Sequence, residues 1–384
     1  MSKAEVIPSV PHVVWSRNSS IYEVNVRQYT PEGTLSAFTE HLEEIKALGV
    51  DIIWLMPIYP IGELNRKGGL GSGYSVKDYR AINPDMGTME DLQALVAKAH
   101  ELGMYVLLDW IANHTAWDNN LTLEHPEWYT QDSLGNFTPP VADWADVIDL
   151  DYDQPELRAY MIESMKYWIE TADVDGFRCD MAHLVPTDFW NEARQQLDQV
   201  KPVFMLAETE DPVLVQEAFD MNYTWELFHI LEDVAQGKKN VSSIRENLQK
   251  EAAKYGPDAY RMYFTSNHDE NSWAGTVNER FGAAAQTFAA LTTLLPGMPL
   301  VYSGQEAGLD KRLSFFEKDQ IEWQDSEFRD LYTTLLHLKR NNQALWNGTS
   351  GGQLEEIATD QPQHVFAFSR QKNDGLVIAC LLYT

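Results

Sequence analysis

Apolar, β-branched runs of strand length recur along this chain, and a helical period follows nearly every one. The runs occupy 21–29, 51–57, 104–111, 174–181, 202–208, 221–228, 261–267 and 299–304. Over 34–49 the residues Leu35, Phe38, Leu42, Ile45 and Leu48 fall every three or four positions, which is one helix face. Thr88 with Asp91 three residues on makes a capping box, Gly103 closes that helix, and Pro155 marks the first turn of another over 156–172. Further helices are predicted over 187–200, 241–255, 281–295 and 327–341, with a short fifth crossover near 213–219. Eight strand–helix units are the sequence form of a parallel sheet closed on itself. The expected fold class is therefore α/β, a (β/α)₈ TIM barrel; an open doubly wound sheet would use fewer units.

The barrel is expected over 21–114 and 151–342, after an N-terminal arm at 1–20. Residues 115–150 interrupt it with Trp117, Pro126, Gly135 and Pro139–Pro140 and no helical period. A connection this long reads as a functional loop subdomain beside the barrel mouth. Beyond Asn342 the pattern changes to two antiparallel strands, 365–370 and 376–382. Residues 343–384 are expected to form a partial C-terminal β-domain on the last barrel helices, with Val365, Phe366, Val377 and Ile378 facing inward. They are too few for a closed sandwich.

Composition narrows the function. Asp and Glu number 58 against 29 Lys and Arg, a net charge of -29, which excludes general affinity for nucleic acid or anionic lipid. A neutral or cationic ligand fits better. Two cysteines, Cys179 and Cys380, supply neither a disulfide framework nor a cysteine zinc site. No run of about 18 apolar residues exists, so no membrane span is predicted. The first five residues lack the apolar stretch of a signal peptide.

Barrel enzymes carry their reactive groups where strands end. Here the third strand ends DWIANH (109–114), the fourth GFRCD (176–180), the fifth in the Glu of LAETE (206–210), and the seventh SNHDEN (266–271). Alternation puts Arg178 and Asp180 on one face of their strand and Cys179 on the other. Charges closing an apolar strand cost stability unless they line a polar site. Taken singly, Asp180 and Glu208 read as solvated turn residues; together, on strands four, five and seven, they read as chemistry.

These four stretches, in this order, resemble the α-amylase family of glycoside hydrolases over roughly residues 20 to 325. The segment from Gly73 to Trp110 is similar to the family's second helix and third strand. The resemblance implies Asp180 as nucleophile, Glu208 as general acid/base and Asp269 as transition-state stabiliser. It also implies Tyr74, His114, Arg178, His268 and Arg312 as substrate-binding residues, Tyr74 as a platform under the sugar. Retaining hydrolysis needs two carboxyls about 5–5.5 Å apart. Arg178 is expected to keep Asp180 ionised, and burial to keep Glu208 protonated near neutral pH. Asp109 is expected to hold backbone or Arg178. Of the tryptophans, Trp110, Trp117, Trp128 and Trp273 are core packing or sugar platforms.

Two departures matter. Many members carry a Lys-His pair three and four residues after the nucleophile; His183 and Leu184 stand here, which bears on product pattern and transfer. The chemistry requires no cofactor, but the resemblance makes Asn113 a candidate ligand for a structural calcium, with Asp149, Asp146 or Asp143 as partners; hydrogen bonding by Asn113 is the alternative. The glycine-rich stretch 69–73 lacks the Lys-Ser/Thr of a phosphate loop.

The implied function is retaining hydrolysis of α-1,4 bonds in starch, glycogen or maltooligosaccharides. The alternatives are an α-1,6-glucosidase, a transglycosylase, a non-catalytic amylase-like scaffold, or a metal-dependent barrel enzyme. The expected partner is an α-glucan. A polymeric substrate points to an extracytoplasmic location, the first residues leave a cytoplasmic maltodextrin enzyme as the alternative, and the sequence leaves oligomeric state open.

Overall fold

The computed structural model describes residues 10–382, so residues 1–9 of the expected arm lie outside the described residues. Eight parallel strands close a barrel: β1 Ile21–Val24, β2 Ile52–Leu55, β3 Tyr105–Trp110, β4 Gly176–Cys179, β5 Phe204–Ala207, β6 Met221–Tyr223, β7 Tyr260–Tyr263 and β8 Met298–Tyr302. Each strand pairs with its neighbours in sequence, and β8 returns to β1. Helices follow the strands, as the alternation predicts. Thr88 and Asp91 form both hydrogen bonds of the capping box, and Pro155 opens its helix at the first position.

Several strands are shorter than their apolar runs. β1 stops at Val24 and Val26–Tyr29 is helical; β6 stops at Tyr223 and a helix Trp225–Ala235 begins where the sequence suggested more strand. In both places aromatic and β-branched residues continue past the strand end, so composition hides the boundary. The expected helix over 34–49 is two pieces, Leu35–Thr39 and Leu42–Leu48, capped by Thr34 and by left-handed Gly49.

Register fixes what meets at the barrel mouth. Asp109 on β3 lies opposite Arg178 on β4, and Arg178 lies opposite Leu206 on β5. Gly176 lets β4 and β5 approach, since a Cβ there would stand 1.9 Å from the Phe204 carbonyl oxygen. The excursion after β3 carries a two-stranded antiparallel sheet, His114–Ala116 with Val147–Asp149, which ties both of its ends together at the mouth.

At the chain's C-terminal end three antiparallel strands form one sheet: β9 Leu354–Ile357, β10 Val365–Lys372 and β11 Gly375–Leu382. The sequence reading missed β9, whose LEEI is half charged and largely exposed. Phe366, Phe368 and Ala379 are buried in one cluster with Phe288 and Leu295 of the barrel. Arg370 is buried and donates to the carbonyls of Leu294 and Leu295, capping the C-terminal end of a barrel helix. Ile378 does not face inward as expected; it is 65% exposed. Alternation places adjacent Val377 and Ile378 on opposite faces, so only Val377 packs on the barrel. Among the described residues no helix is long and apolar enough to cross a membrane.

Candidate active site

The carboxylates at the strand ends meet around one cation. Arg178 is fully buried, and its Nη1 donates to Asp109 and to Asp180 at 2.9 Å each. Nη2 lies 2.9 Å from Glu208, and Nε donates to the Tyr223 hydroxyl at 3.2 Å. One planar fork therefore sets the spacing of Asp180 and Glu208. The sequence reading made Arg178 a substrate contact; instead it lies beneath the floor with its guanidinium committed to protein groups. Met181, next after Asp180, adopts a left-handed φ of 43°, and its amide donates to Glu208 at 2.9 Å. A non-glycine residue held there stores backbone strain at the site.

Above this floor opens a cleft of about 710 Å³. Asp180, Glu208, Asp269, His268, His114 and Tyr74 all line it, so six of the eight residues inferred from sequence share one surface. Tyr74 packs its ring parallel to His268 at 5.3 Å, and its hydroxyl bridges Asp109 and His268. Asp109 also accepts from Trp54 at 3.1 Å, which makes it a brace for Arg178 and Tyr74. Arg178 and Arg312 are the two that do not line the cleft, Arg178 because it lies beneath the floor and Arg312 because it lies to one side. Arg312 pairs with Glu279 at 2.7 Å on the surface. The long-range partner that draws it away carries no local sequence signal.

Burial governs the charges. Desolvation pushes the Asp180 carboxyl up to about 6; Arg178 opposes this, while Asp109 adds to it. This corrects the expectation that Arg178 would hold Asp180 low: the guanidinium is shared among three carboxylates, and burial outweighs it. Desolvation likewise pushes Glu208 up to about 7, against Arg178 and with help from Asp180 and Asp269. Both carboxyls are raised by the same burial, and the two titrate as a pair. Burial pushes His114 down to about 4, leaving a neutral imidazole in the cleft wall.

Sequence reasoning named Trp273 and passed over its neighbours. Trp273 is 57% exposed in the cleft and packs on Phe315 at 5.3 Å, whereas Trp110 and Trp128 are core. Phe315, Phe316, Trp144 and Lys67 complete the walls from loops without strand or helix period. His183 lines a smaller adjoining cavity of about 400 Å³ with Trp225; Glu208 borders both cavities.

The candidate calcium ligands carry contacts of their own. Asp149 accepts from the Thr130 hydroxyl at 2.7 Å, and the Asn113 amide nitrogen faces His114 Nδ1 at 3.3 Å. Asp146 is already paired with the Lys67 ammonium at 2.9 Å, which also donates to the Asp143 carbonyl at 2.7 Å. Among the described residues no group of three or more His, Cys, Asp and Glu side chains is placed to hold a metal ion.

Comparison with known proteins agrees with the barrel fold. The family model described as Alpha amylase, catalytic domain, matches residues 15–133 and 122–343. A noncanonic maltogenic alpha-amylase, AmyB, from Thermotoga neapolitana superposes with a TM-score of 0.89 at 36% identity, over 95% of this chain and 86% of that one. An alpha-amylase from Lactobacillus plantarum gives 0.87 at 36% identity, over 96% and 89%. The Alpha-amylase MalA of Haloarcula japonica is 28% identical over 95% of this chain, which spans 55% of that relative's length.

Proposed function

The chain belongs to the α-amylase family of glycoside hydrolases, and from that premise we propose that it cleaves α-1,4-glucosidic bonds of starch, glycogen and maltooligosaccharides with retention of configuration. The observation that carries the reading is the single Arg178 fork holding Asp180 and Glu208 side by side under the cleft. Asp180 attacks the anomeric carbon while Glu208 protonates the departing glycosidic oxygen. Glu208, now a base, takes a proton from water, which then releases the sugar from Asp180. Asp269 and the neighbouring histidines bind hydroxyls of the reacting ring, and Tyr74 walls its face. Glu208 and Met181 border both the cleft and the cavity beside His183 and Trp225, which supports sugar binding on both sides of the scissile bond; endo attack is the mode proposed.

Proton NMR of freshly cleaved maltoheptaose tests the stereochemistry. The α-anomer should appear first; β-anomer first would overturn the retaining reading. Chromatography of the same digest separates a ladder of products, expected for endo attack, from maltose alone.

The charges give a pH prediction. Asp180 must be ionised to attack, so kcat/KM falls as pH drops through about 6. Glu208 must be protonated to assist departure, so kcat/KM falls as pH rises through about 7. The expected profile on maltoheptaose is a narrow bell between the two, its limbs belonging to the coupled pair. A flat profile through that window would contradict it.

No metal enters these steps, and the Lys67 ammonium already ties the 143–146 segment to the barrel loop. EDTA should therefore leave the rate on maltoheptaose unchanged. Immediate loss of rate with unchanged circular dichroism would point instead to a catalytic metal. A polymeric starch substrate is the sole support for an extracytoplasmic location, which fractionation of producing cells would check.

A further inference from the structure

Glu23 sits inside β1, fully buried, where the sequence shows only one carboxylate among apolar neighbours. Its Oε1 faces His268 Nδ1, and its Oε2 makes no hydrogen bond among the described residues. The hydrogens around His268 can be counted. Tyr74 has one hydroxyl hydrogen and gives it to Asp109 Oδ2 at 3.0 Å, beside the Trp54 indole donor at 3.1 Å. With that hydrogen on Asp109, the Tyr74 oxygen accepts at His268 Nε2, 2.8 Å away, which calls for a hydrogen on Nε2. Nδ1 faces a carboxylate oxygen, so it must carry one as well. Two N–H groups make an imidazolium, whose Nε2 also lies 3.3 Å from Asp269.

We infer that Glu23 is a positioning residue which, through Nδ1 of His268, keeps that imidazole a doubly protonated donor beside Asp269 and the sugar. This rests on the reading of the cleft as the α-glucan site. The groups facing His268 are Glu23 from β1, Asp269 from its own loop, Arg178 from β4 and Asp109 through Tyr74; the Tyr223 and Tyr302 phenols flank Glu23. Burial opposes a cation here, but Asp269 and Glu23 outweigh it and raise His268 to about 9. A fixed cation gives charge-assisted hydrogen bonds that a neutral ring would lose as pH rises.

The test begins on the unmodified protein. Imidazole NMR signals of His268, assigned by their absence in His268→Gln, should show both N–H groups and no titration near the ordinary midpoint of about 6.5. A neutral ring at neutral pH overturns the inference. In Glu23→Gln, His268 should begin to titrate in that range, and kcat/KM on maltotriose should fall roughly 10- to 100-fold, most steeply on the alkaline side. Unchanged His268 protonation, or a loss equal at every pH, would make Glu23 a packing residue and overturn it. Absence of α-glucan turnover by the unmodified protein would strike the functional reading alone, since the NMR result does not depend on it.

Discussion

Asp180→Asn is expected to lower kcat on soluble starch by at least about 10⁴-fold, because an amide cannot attack the anomeric carbon. At 1.36 kcal/mol per tenfold this is roughly 5.5 kcal/mol of barrier. The fold should survive. The Asp180 carboxyl is raised from 3.8 to about 6 in the folded protein, so the native state prefers its protonated form. Stability from that preference is present below the unfolded value and lost as pH rises through about 6. An asparagine never ionises, so the variant's Tm at neutral pH should equal or exceed that of the parent. Normal starch hydrolysis by a purified, folded variant would remove Asp180 from the nucleophile role.

Glu208→Gln separates the two halves of the reaction. Natural glucans have poor leaving groups, and their turnover should fall by about 10²–10⁴-fold without the acid. α-Maltosyl fluoride needs no protonation to depart. It should still load Asp180 in a rapid burst, then release slowly, because no base activates water. Mass spectrometry of the quenched protein should find the trapped glycosyl group. Equal slowing of both substrates, with no burst, would assign Glu208 another role.

Strand-end carboxylates were legible in sequence because each stands at the break between an apolar run and a loop. Asp109, Asp180, Glu208 and Asp269 all carry that signal, and so do the Thr88–Asp91 box and Pro155. Glu23 does not: it lies within a four-residue strand, and only the barrel's closure of β1 against β8 brings it under His268. Phe315 and Lys67 are invisible for the opposite reason, since they belong to loops whose path is set by distant contacts such as Arg27 with the Gly71 and Phe315 carbonyls. That Arg312 stands outside the cleft was not legible, because proximity in sequence to the eighth strand says nothing of Glu279. The Asp180 titration was misjudged because sequence shows a cation two residues away but not how many anions share it.

That sharing has a consequence for folding. Asp109, Asp180 and Glu208 come from the ends of three adjacent strands, and Arg178 serves all of them. A slip of β3 by one residue against β4 would turn Asp109 to the opposite face and leave the guanidinium short of a partner. A slip of β5 would do the same with Glu208. Each misalignment strands a charge in the barrel interior, where an unpaired ion costs several kcal/mol. The floor of the cleft thus doubles as a proofreader of strand alignment: a barrel assembled out of step is penalised at the same place where the proposed reaction would also fail.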